Sequence, residues 1–215
     1  MNNGARRLYS VVSIFIVTFL FVLITQTALS AQEAVEFETA DMAKMQKAME
    51  LAQPGPEHAN LAAMAGDWKA HVKIWEQPGK PPMESEGTSK AHMILDGRFL
   101  MVEGHTQLMG MPFEYLTIIG FDRRDGEYTA TGYDVMGTYS IFAKGKMEED
   151  GKTIRMYGED YDPTFGFTQK YDLVYRKISD DQYEYAVIFK NPEMTFGEKE
   201  FKMVEATYTR VKAEK

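Results

Sequence analysis

The sequence predicts an all-β protein: a single antiparallel up-and-down barrel of about ten strands, preceded by one or two short helices and an N-terminal signal segment. About ten runs of β-type residues follow one another from Trp68 to Val211 with little but turn signals between them. Asp-Gly pairs occur at 96–97, 125–126 and 150–151 between apolar residues, and this pair favours the primed turns of β-hairpins. The composition therefore indicates a series of hairpins.

No helix-length apolar period interrupts the series, which excludes a parallel sheet because parallel neighbours need connections of a dozen or more residues. A sheet of this many consecutive hairpins is expected to close on itself, since closure removes the exposed edge strands. The barrel domain is predicted over 67–212. Its strands are predicted near 68–76, 86–95, 98–107, 112–121, 127–135, 138–148, 153–161, 167–178, 183–190 and 199–211.

The N-terminal residues 1–31 have the pattern of a secretory signal peptide. Arg6 and Arg7 precede an apolar run over 11–24, and small residues follow at 28–31. The predicted location is therefore outside the cytoplasm, periplasmic or secreted. The alternative is an uncleaved anchor over 11–29, which approaches the length of a bilayer span. No cysteine follows the apolar run, so lipid attachment at a cysteine is excluded.

Charge and cysteine content exclude several classes of function. The chain has 24 basic and 32 acidic residues, and removal of 1–31 would take away only Arg6 and Arg7. This acidic balance disfavours nucleic acid and anionic lipid as partners. The absence of cysteine excludes disulfides, thiol catalysis and cysteine-ligated metal centres. No cofactor is predicted, and the oligomeric state is left open.

Residues 32–40 are predicted to be a flexible lead-in, and 41–66 to form short amphipathic helices. Asp41 is a candidate N-cap for a helix to about residue 52, with an apolar stripe of Met42, Met45 and Met49. We expect this stripe to pack against the barrel, with docking of a partner protein as the alternative. Pro-Gly-Pro at 54–56 ends this helix, and a second helix is predicted over 57–65.

Several segments together are similar to one family. They are Pro54-Gly55-Pro56-Glu57-His58, Leu61-Ala62-Ala63-Met64-Ala65-Gly66-Asp67-Trp68, Ile94-Leu95-Asp96-Gly97-Arg98-Phe99-Leu100, Met111-Pro112-Phe113-Glu114 and Gly120-Phe121-Asp122. The set resembles the bacterial domain-of-unknown-function family 1579 (DUF1579) over nearly all of 45–211. The resemblance implies a relative of the calycins, the barrel group that includes lipocalins and fatty-acid-binding proteins. It implies no established activity.

The resemblance also implies a structural role for two residues. Gly66-Asp67-Trp68 is similar to the Gly-x-Trp that opens the first strand of lipocalins, where the Trp closes one end of the barrel beneath a basic side chain of the last strand. Arg210 is placed in the sequence to be that side chain. A guanidinium over an indole gains cation–π attraction and shields the ring from water.

The hairpin over 86–107 leaves two interpretations open. A two-residue turn at 96–97 pairs Met93 with Leu100 and Lys90 with Glu103. Side chains alternate between the two faces of the hairpin, and one face is aliphatic, with Ala91, Met93, Leu95, Leu100 and Val102. We expect this face to point to the core and the mixed face to point to solvent. In the alternative, the mixed face lines a ligand chamber. The candidate ligand-binding residues are His92, Glu103, His105, Glu114, Tyr115, Tyr133 and Asp134.

Carboxylates recur in the resembled family at Glu103, Glu114 and Asp134. Paired with a histidine, they suit hydrogen bonding to a polar ligand head, or acid–base chemistry if burial shifts their pKa values. In the alternative, Lys90, Glu103 and Glu114 form an ordinary exposed cross-strand ladder of charges. The tyrosines at 157, 161, 171, 175, 183, 185 and 208 are further candidates to line a cavity. The alternative is that they cover the outer face of the sheet or support a girdle of the barrel.

Three hypotheses about function follow. The first is a non-enzymatic, exported, calycin-like barrel that binds or carries a small, partly apolar or amphipathic ligand in its lumen. The second is an enzyme that uses Glu103, Asp134 and a nearby histidine on a small substrate. The third is a solid barrel that acts as a structural or interaction protein through its 42–52 helix.

The sequence has no Gly-x-Ser-x-Gly, phosphate-binding loop or His-Glu-x-x-His, and its scattered histidines predict no metal site. Lys or Glu on nearly every strand disfavours insertion of the barrel in a membrane.

Overall fold

The computed structural model describes residues 31–212, with side chains from Asp41 onward. The predicted signal peptide lies almost wholly outside the described residues. The helices are α1 (Ala31–Leu51), α2 (Pro56–Ala63) and α3 (Pro192–Thr195). The strands are β1 (Gly66–Ile74), β2 (Met83–Ile94), β3 (Phe99–Leu108), β4 (Met111–Asp122), β5 (Glu127–Asp134), β6 (Ile141–Met147), β7 (Thr153–Asp162), β8 (Phe167–Ser179), β9 (Gln182–Phe189) and β10 (Phe201–Arg210).

The described residues divide into two compact units, with the boundary between Glu50 and Leu51. In the first, α1 begins at Ala31, so the prediction of a flexible lead-in over 32–40 is replaced by helix. Residues 31–40 are mostly Ala, Glu and Gln without Gly or Pro, and these residue types favour helix. Met42, Met45 and Met49 are each more than half exposed. None of the helices within 31–212 has the length and hydropathy that a bilayer span requires.

The second unit is a closed antiparallel barrel of ten strands. Every strand pairs with its neighbours in sequence, and β1 also pairs with β10 through a register that joins Trp68 to Arg210. The predicted fold class is therefore confirmed. The closure leaves the barrel no unpaired edge strand, as expected for a sheet of this size.

Turn chemistry explains the tightest hairpins. Asp96 and Gly97 have φ values of 54° and 80°, as a primed two-residue turn requires. The β2–β3 register pairs Met93 with Leu100 and Lys90 with Glu103, as predicted. Met109 and Gly110 form an equivalent turn with φ values of 54° and 79°, which the sequence analysis did not single out because Met rarely adopts positive φ.

The up-and-down order places alternate turns at opposite ends of the barrel. At the Trp68 end lie α2 and the β2–β3, β4–β5, β6–β7 and β8–β9 turns. At the far end lie the connections 75–82, 109–110, 135–140, 163–166 and 190–200. Helix α2 packs mainly against β2, β3 and β4, so it covers one side of the Trp68 end.

The core lies inside the barrel, and it settles the orientation of the 86–107 hairpin. Ala91, Leu100 and Val102 are buried, whereas Lys90 and Glu103 are exposed. The aliphatic face therefore points inward, and the alternative in which the mixed face lines the lumen is wrong. Leu95, assigned to the aliphatic face from the sequence, is instead 67% exposed because it lies in the turn at φ 49°.

The outer wall carries an ion cluster that predicts a pH dependence. The imidazole of His71 on β1 contacts Glu86 through Nδ1 at 2.8 Å and Glu84 through Nε2 at 2.9 Å, both on β2. The hydrogen bond to Glu86 is the main cause that raises the pKa of His71 above 6.5. Because the folded-state pKa is raised, the stabilisation is complete below pH 6.5 and is lost as the pH rises through the folded pKa.

We therefore expect Glu86→Gln to lower the His71 pKa more than Glu84→Gln does, as measured by an NMR titration of the imidazole. Relative to His71→Gln, the native protein should lose stability between mildly acidic and mildly alkaline pH. An equal effect of both substitutions on the pKa would contradict the assignment of Glu86 as the stronger partner.

Candidate functional site

The interior of the barrel combines large and small side chains. Ten strands enclose a wider interior than eight, in which side chains just fill the space or leave room for one small ligand. Large inward residues such as Leu100, Ile119 and Met156 alternate around the barrel with small ones. The buried small residues are Ala70, Ala91, Ala130, Ala143, Ala206 and Ser89.

Five tyrosines of β4, β8, β9 and β10 also face inward and form one cluster. The ring of Tyr183 stacks on that of Tyr208 at 4.5 Å between centroids, and Tyr175 packs on Tyr185 at 4.9 Å. The Tyr115 hydroxyl hydrogen-bonds the Tyr208 hydroxyl at 2.8 Å. Burial raises the pKa of all five phenols, so they stay protonated and neutral near pH 7.

Two of these tyrosines are only partly buried. Tyr175 lines a crevice at the Trp68 end, and Tyr185 lines a groove that opens on the outer wall. Val187 and Val204, which pair across β9 and β10 on the same inner wall, are likewise only partly buried.

A polar atom in the same wall has no hydrogen-bond partner. Ser89 is 5% exposed, and its Oγ lies near the Tyr115 phenol without meeting the geometry of a hydrogen bond. A buried hydroxyl without a partner costs free energy, because it has lost its hydrogen bonds to water. Ser89 and the tyrosine hydroxyls therefore offer donors and acceptors to a molecule inside the barrel.

The charges near the lumen are negative and lie toward the far end. Asp160 on β7 faces inward and interacts with the phenol of Tyr171. The pKa of Tyr139 in the 135–140 loop is raised by burial and then by Asp134, Asp162 and Asp160. On the described strands, inward-facing positions beyond the Trp68 end carry no Lys or Arg. The lumen thus disfavours a negatively charged ligand.

The Trp68 end is closed on one side by packed rings and hydrogen bonds. The Arg210 guanidinium lies 4.1 Å from the centroid of the Trp68 indole. Its Nη1 and Nη2 donate to the carbonyls of Ala65 at 2.6 Å and Ala63 at 2.8 Å, while the indole Nε1 donates to Met64 at 3.0 Å. These contacts join the first and last strands to the C-terminal end of α2.

The other side of this end has a crevice between α2 and the β6–β7 and β8–β9 turns. Its cavity volume is about 60 Å³, and its mouth opens to solvent. Asn60 and Met64 of α2 line one wall, and the inward-facing Ile154, Tyr175 and Tyr183 line the other. The crevice therefore reaches the tyrosine cluster from the Trp68 end.

Most of the candidates predicted from the sequence lie together, but on the outer wall. Glu103 pairs with Leu116, which pairs with Tyr133, and His105 faces Glu114 with 3.7 Å between Nδ1 and Oε1. The shallow groove that they form is lined by Glu103, His105, Glu114, Tyr115, Leu116, Tyr133 and Asp134.

The outer position corrects the prediction that these residues line a chamber. His105 and Glu114 have side chains 65% and 64% exposed, so they are well solvated. Two candidates differ: the ring of Tyr115 turns into the lumen, and its cross-strand partner Asp134 shares that face at the exposed far end of β5. His92 lies apart from the groove, with its Nδ1 buried and without a hydrogen-bond partner. Ligand binding by the outer groove stays a prediction. Within the described part of the chain, no three acidic or histidine side chains converge as metal ligands would.

Comparison with known proteins places the chain in a family. Residues 53–210 match the family described as "Protein of unknown function (DUF1579)". The chain belongs to the DUF1579 family. No curated protein matches it. Among solved structures it is similar to a redesigned β-barrel, with 12% identity, a TM-score of 0.36 and coverage of 71% of this chain and 95% of that chain.

Ser89 of this DUF1579 protein faces the lumen but was not among the predicted candidates, although the sequence around it carries a recognisable signal. Ser89 lies in the alternating small-residue series Ser85, Gly87, Ser89 and Ala91 of β2. Small residues at every second position of a strand indicate an inner wall that leaves space. Two of the tyrosines predicted to line a cavity do not do so, because Tyr157 and Tyr161 are exposed on the outer face of β7.

Proposed function

We propose that this DUF1579 protein is an exported, non-enzymatic, calycin-like carrier that holds one small, partly apolar molecule in its lumen. The observation that carries the proposal is the crevice at the Trp68 end, which reaches the inward-facing Ile154, Tyr175 and Tyr183. An inner wall that is apolar, aromatic and unfilled is typical of a ligand site. The basic and apolar pattern at residues 1–31 supports export.

The chemistry of the wall defines the class of ligand. Tyrosine rings and alanine methyls accept an apolar body, and Ser89 with the Tyr115 and Tyr208 hydroxyls accepts one hydrogen-bonding group. A carboxylate guest about 8 Å from Asp160 would lose about 2 kcal/mol at an effective dielectric constant of about 20. The ligand is therefore a neutral or positively charged amphipathic molecule, which differs from a fatty-acid anion.

A matched pair of dyes tests the proposal. N-phenyl-1-naphthylamine is neutral, and 8-anilinonaphthalene-1-sulfonate has the same rings with an added sulfonate. We expect saturable fluorescence enhancement with the neutral dye at one site per chain, and at least about tenfold weaker binding of the sulfonate, from the charge repulsion. Failure of the neutral dye to bind, or preference for the sulfonate, would contradict the proposal.

Native mass spectrometry of protein purified from its own host provides the complementary test. The expected spectrum contains a bound small molecule that is released on unfolding. A barrel that is empty in every preparation, together with a lumen that excludes the neutral dye, would instead support the structural hypothesis.

A further inference from the structure

The two ends of the barrel differ in the composition of their turns. Each turn at the Trp68 end contains charged residues, as in Arg123-Arg124-Asp125 and Glu148-Glu149-Asp150. At the far end, the connections 109–110, 135–140 and 163–166 contain no charged residue. The uncharged tips are confined to this part of the far end, because the other two connections there, 75–82 and 190–200, contain charged residues such as Glu76, Lys80 and Lys199.

These three uncharged connections, which we call the far-end arc, expose large apolar side chains. They join β3 to β4, β5 to β6 and β7 to β8, which are consecutive in the barrel, so their tips are neighbours around the rim. Exposed apolar groups in such number mark an interaction surface. The exposed fractions are 63% for Met109, 56% for Val135, 55% for Met136, 63% for Tyr139 and 65% for Phe165.

We propose that the far-end arc docks on the surface of a lipid bilayer with neutral headgroups. Uncharged tips can enter the interface without the cost of burying charge, and Tyr139 has the amphipathic ring that suits the headgroup level. Asp134 and Asp162 at the adjoining strand ends repel anionic lipid. This surface goes beyond ligand binding and does not depend on it.

The charges also argue against a second copy of the chain as the occupant. Two arcs brought face to face would place Asp134, Asp160 and Asp162 of one copy against the same carboxylates of the other. Like charges opposed at an interface are unfavourable, whereas a zwitterionic surface has no net charge to oppose them. Three separate tips along one rim also fit a flat, deformable surface, which needs no complementary shape.

The absence of cysteine allows a direct test in the full chain. Single substitutions Met136→Cys and Phe165→Cys place an environment-sensitive nitrobenzoxadiazole label on the arc. Leu95→Cys and Ile178→Cys, which are 67% and 42% exposed near the Trp68 end, are matched controls. Vesicles of phosphatidylcholine, some containing a spin-labelled quencher lipid, are then added. The readout is local to each label, so any membrane attachment through residues 11–29 does not obscure it.

The expected result is a blue shift and quenching at 136 and 165, with little change at 95 and 178. Replacement of part of the phosphatidylcholine by phosphatidylglycerol should weaken both signals. Three outcomes would overturn the proposal: no response at the arc, an equal response at both ends, or stronger docking on anionic vesicles. A blue shift that grows with protein concentration without vesicles would assign the arc to self-association instead.

Discussion

Replacement of Trp68 by Ala is expected to lower the midpoint of thermal unfolding by roughly 10 °C. The indole is 2% exposed, and truncation of a buried aromatic side chain costs about 3–5 kcal/mol. In a domain of this size each kcal/mol shifts the midpoint by about 2–4 °C. The substitution also removes the contact with Arg210 and the edge-to-face contact with Tyr183 at 4.8 Å.

The matched control is Trp75→Ala, at the only other tryptophan of the chain. Trp75 is only partly buried just beyond β1, with the Lys202 ammonium 5.5 Å from its ring, so its removal should shift the midpoint much less. Differential scanning calorimetry of both variants measures the difference. Equal shifts for the two substitutions would show that Trp68 has no special part in closing its end of the barrel.

Val187→Trp is expected to weaken binding of the neutral dye by at least about tenfold, because an indole would occupy the space beside Tyr185. Val187 faces the lumen between Leu173 and Val204, its partners on β8 and β10. It is only partly buried, so the added rings have room to enter the cavity rather than the packed core. The loss in affinity corresponds to about 1.4 kcal/mol or more.

Val174→Trp is the control for this substitution. Val174 alternates with the inward-facing Leu173 and Tyr175 and lines a groove on the outer wall. The same change there should leave dye binding within about twofold of the native protein, which is within about 0.4 kcal/mol. Circular dichroism establishes that both variants keep the barrel. If dye affinity falls equally in the two variants, or in neither, the ligand does not lie beside Val187.

The strands and their pairing could be predicted because the signals for them are local. Asp96-Gly97 determines a primed turn, and the turn determines that Lys90 faces Glu103. These local signals did not determine which face of the hairpin points into the barrel. Both orientations of the hairpin have the same hydrogen bonds and the same neighbours, so the inward or outward position of Glu103 and His105 depends on the curvature of the whole sheet.

The candidate site also combines residues that the sequence could predict with contacts that only the fold produces. The tyrosines of β8 and β9 were recognisable as lumen candidates from their alternation, but Tyr115 and Tyr208 meet across the barrel from strands far apart in the sequence. The unpartnered Ser89 hydroxyl beside them is a property of that arrangement alone. No spacing in a single strand predicts such a cluster.

The sequence by itself determined a ten-stranded up-and-down barrel and the turn and register of the Asp96-Gly97 hairpin, because these depend on backbone preferences and period-2 patterning within a few residues. Only the tertiary structure decided which face is the lumen, that Glu103 and Glu114 lie outside it, and that uncharged tips gather at one end. Those features follow from closure of β1 on β10, which brings together distant parts of the chain and gives the sheet an inside and two ends.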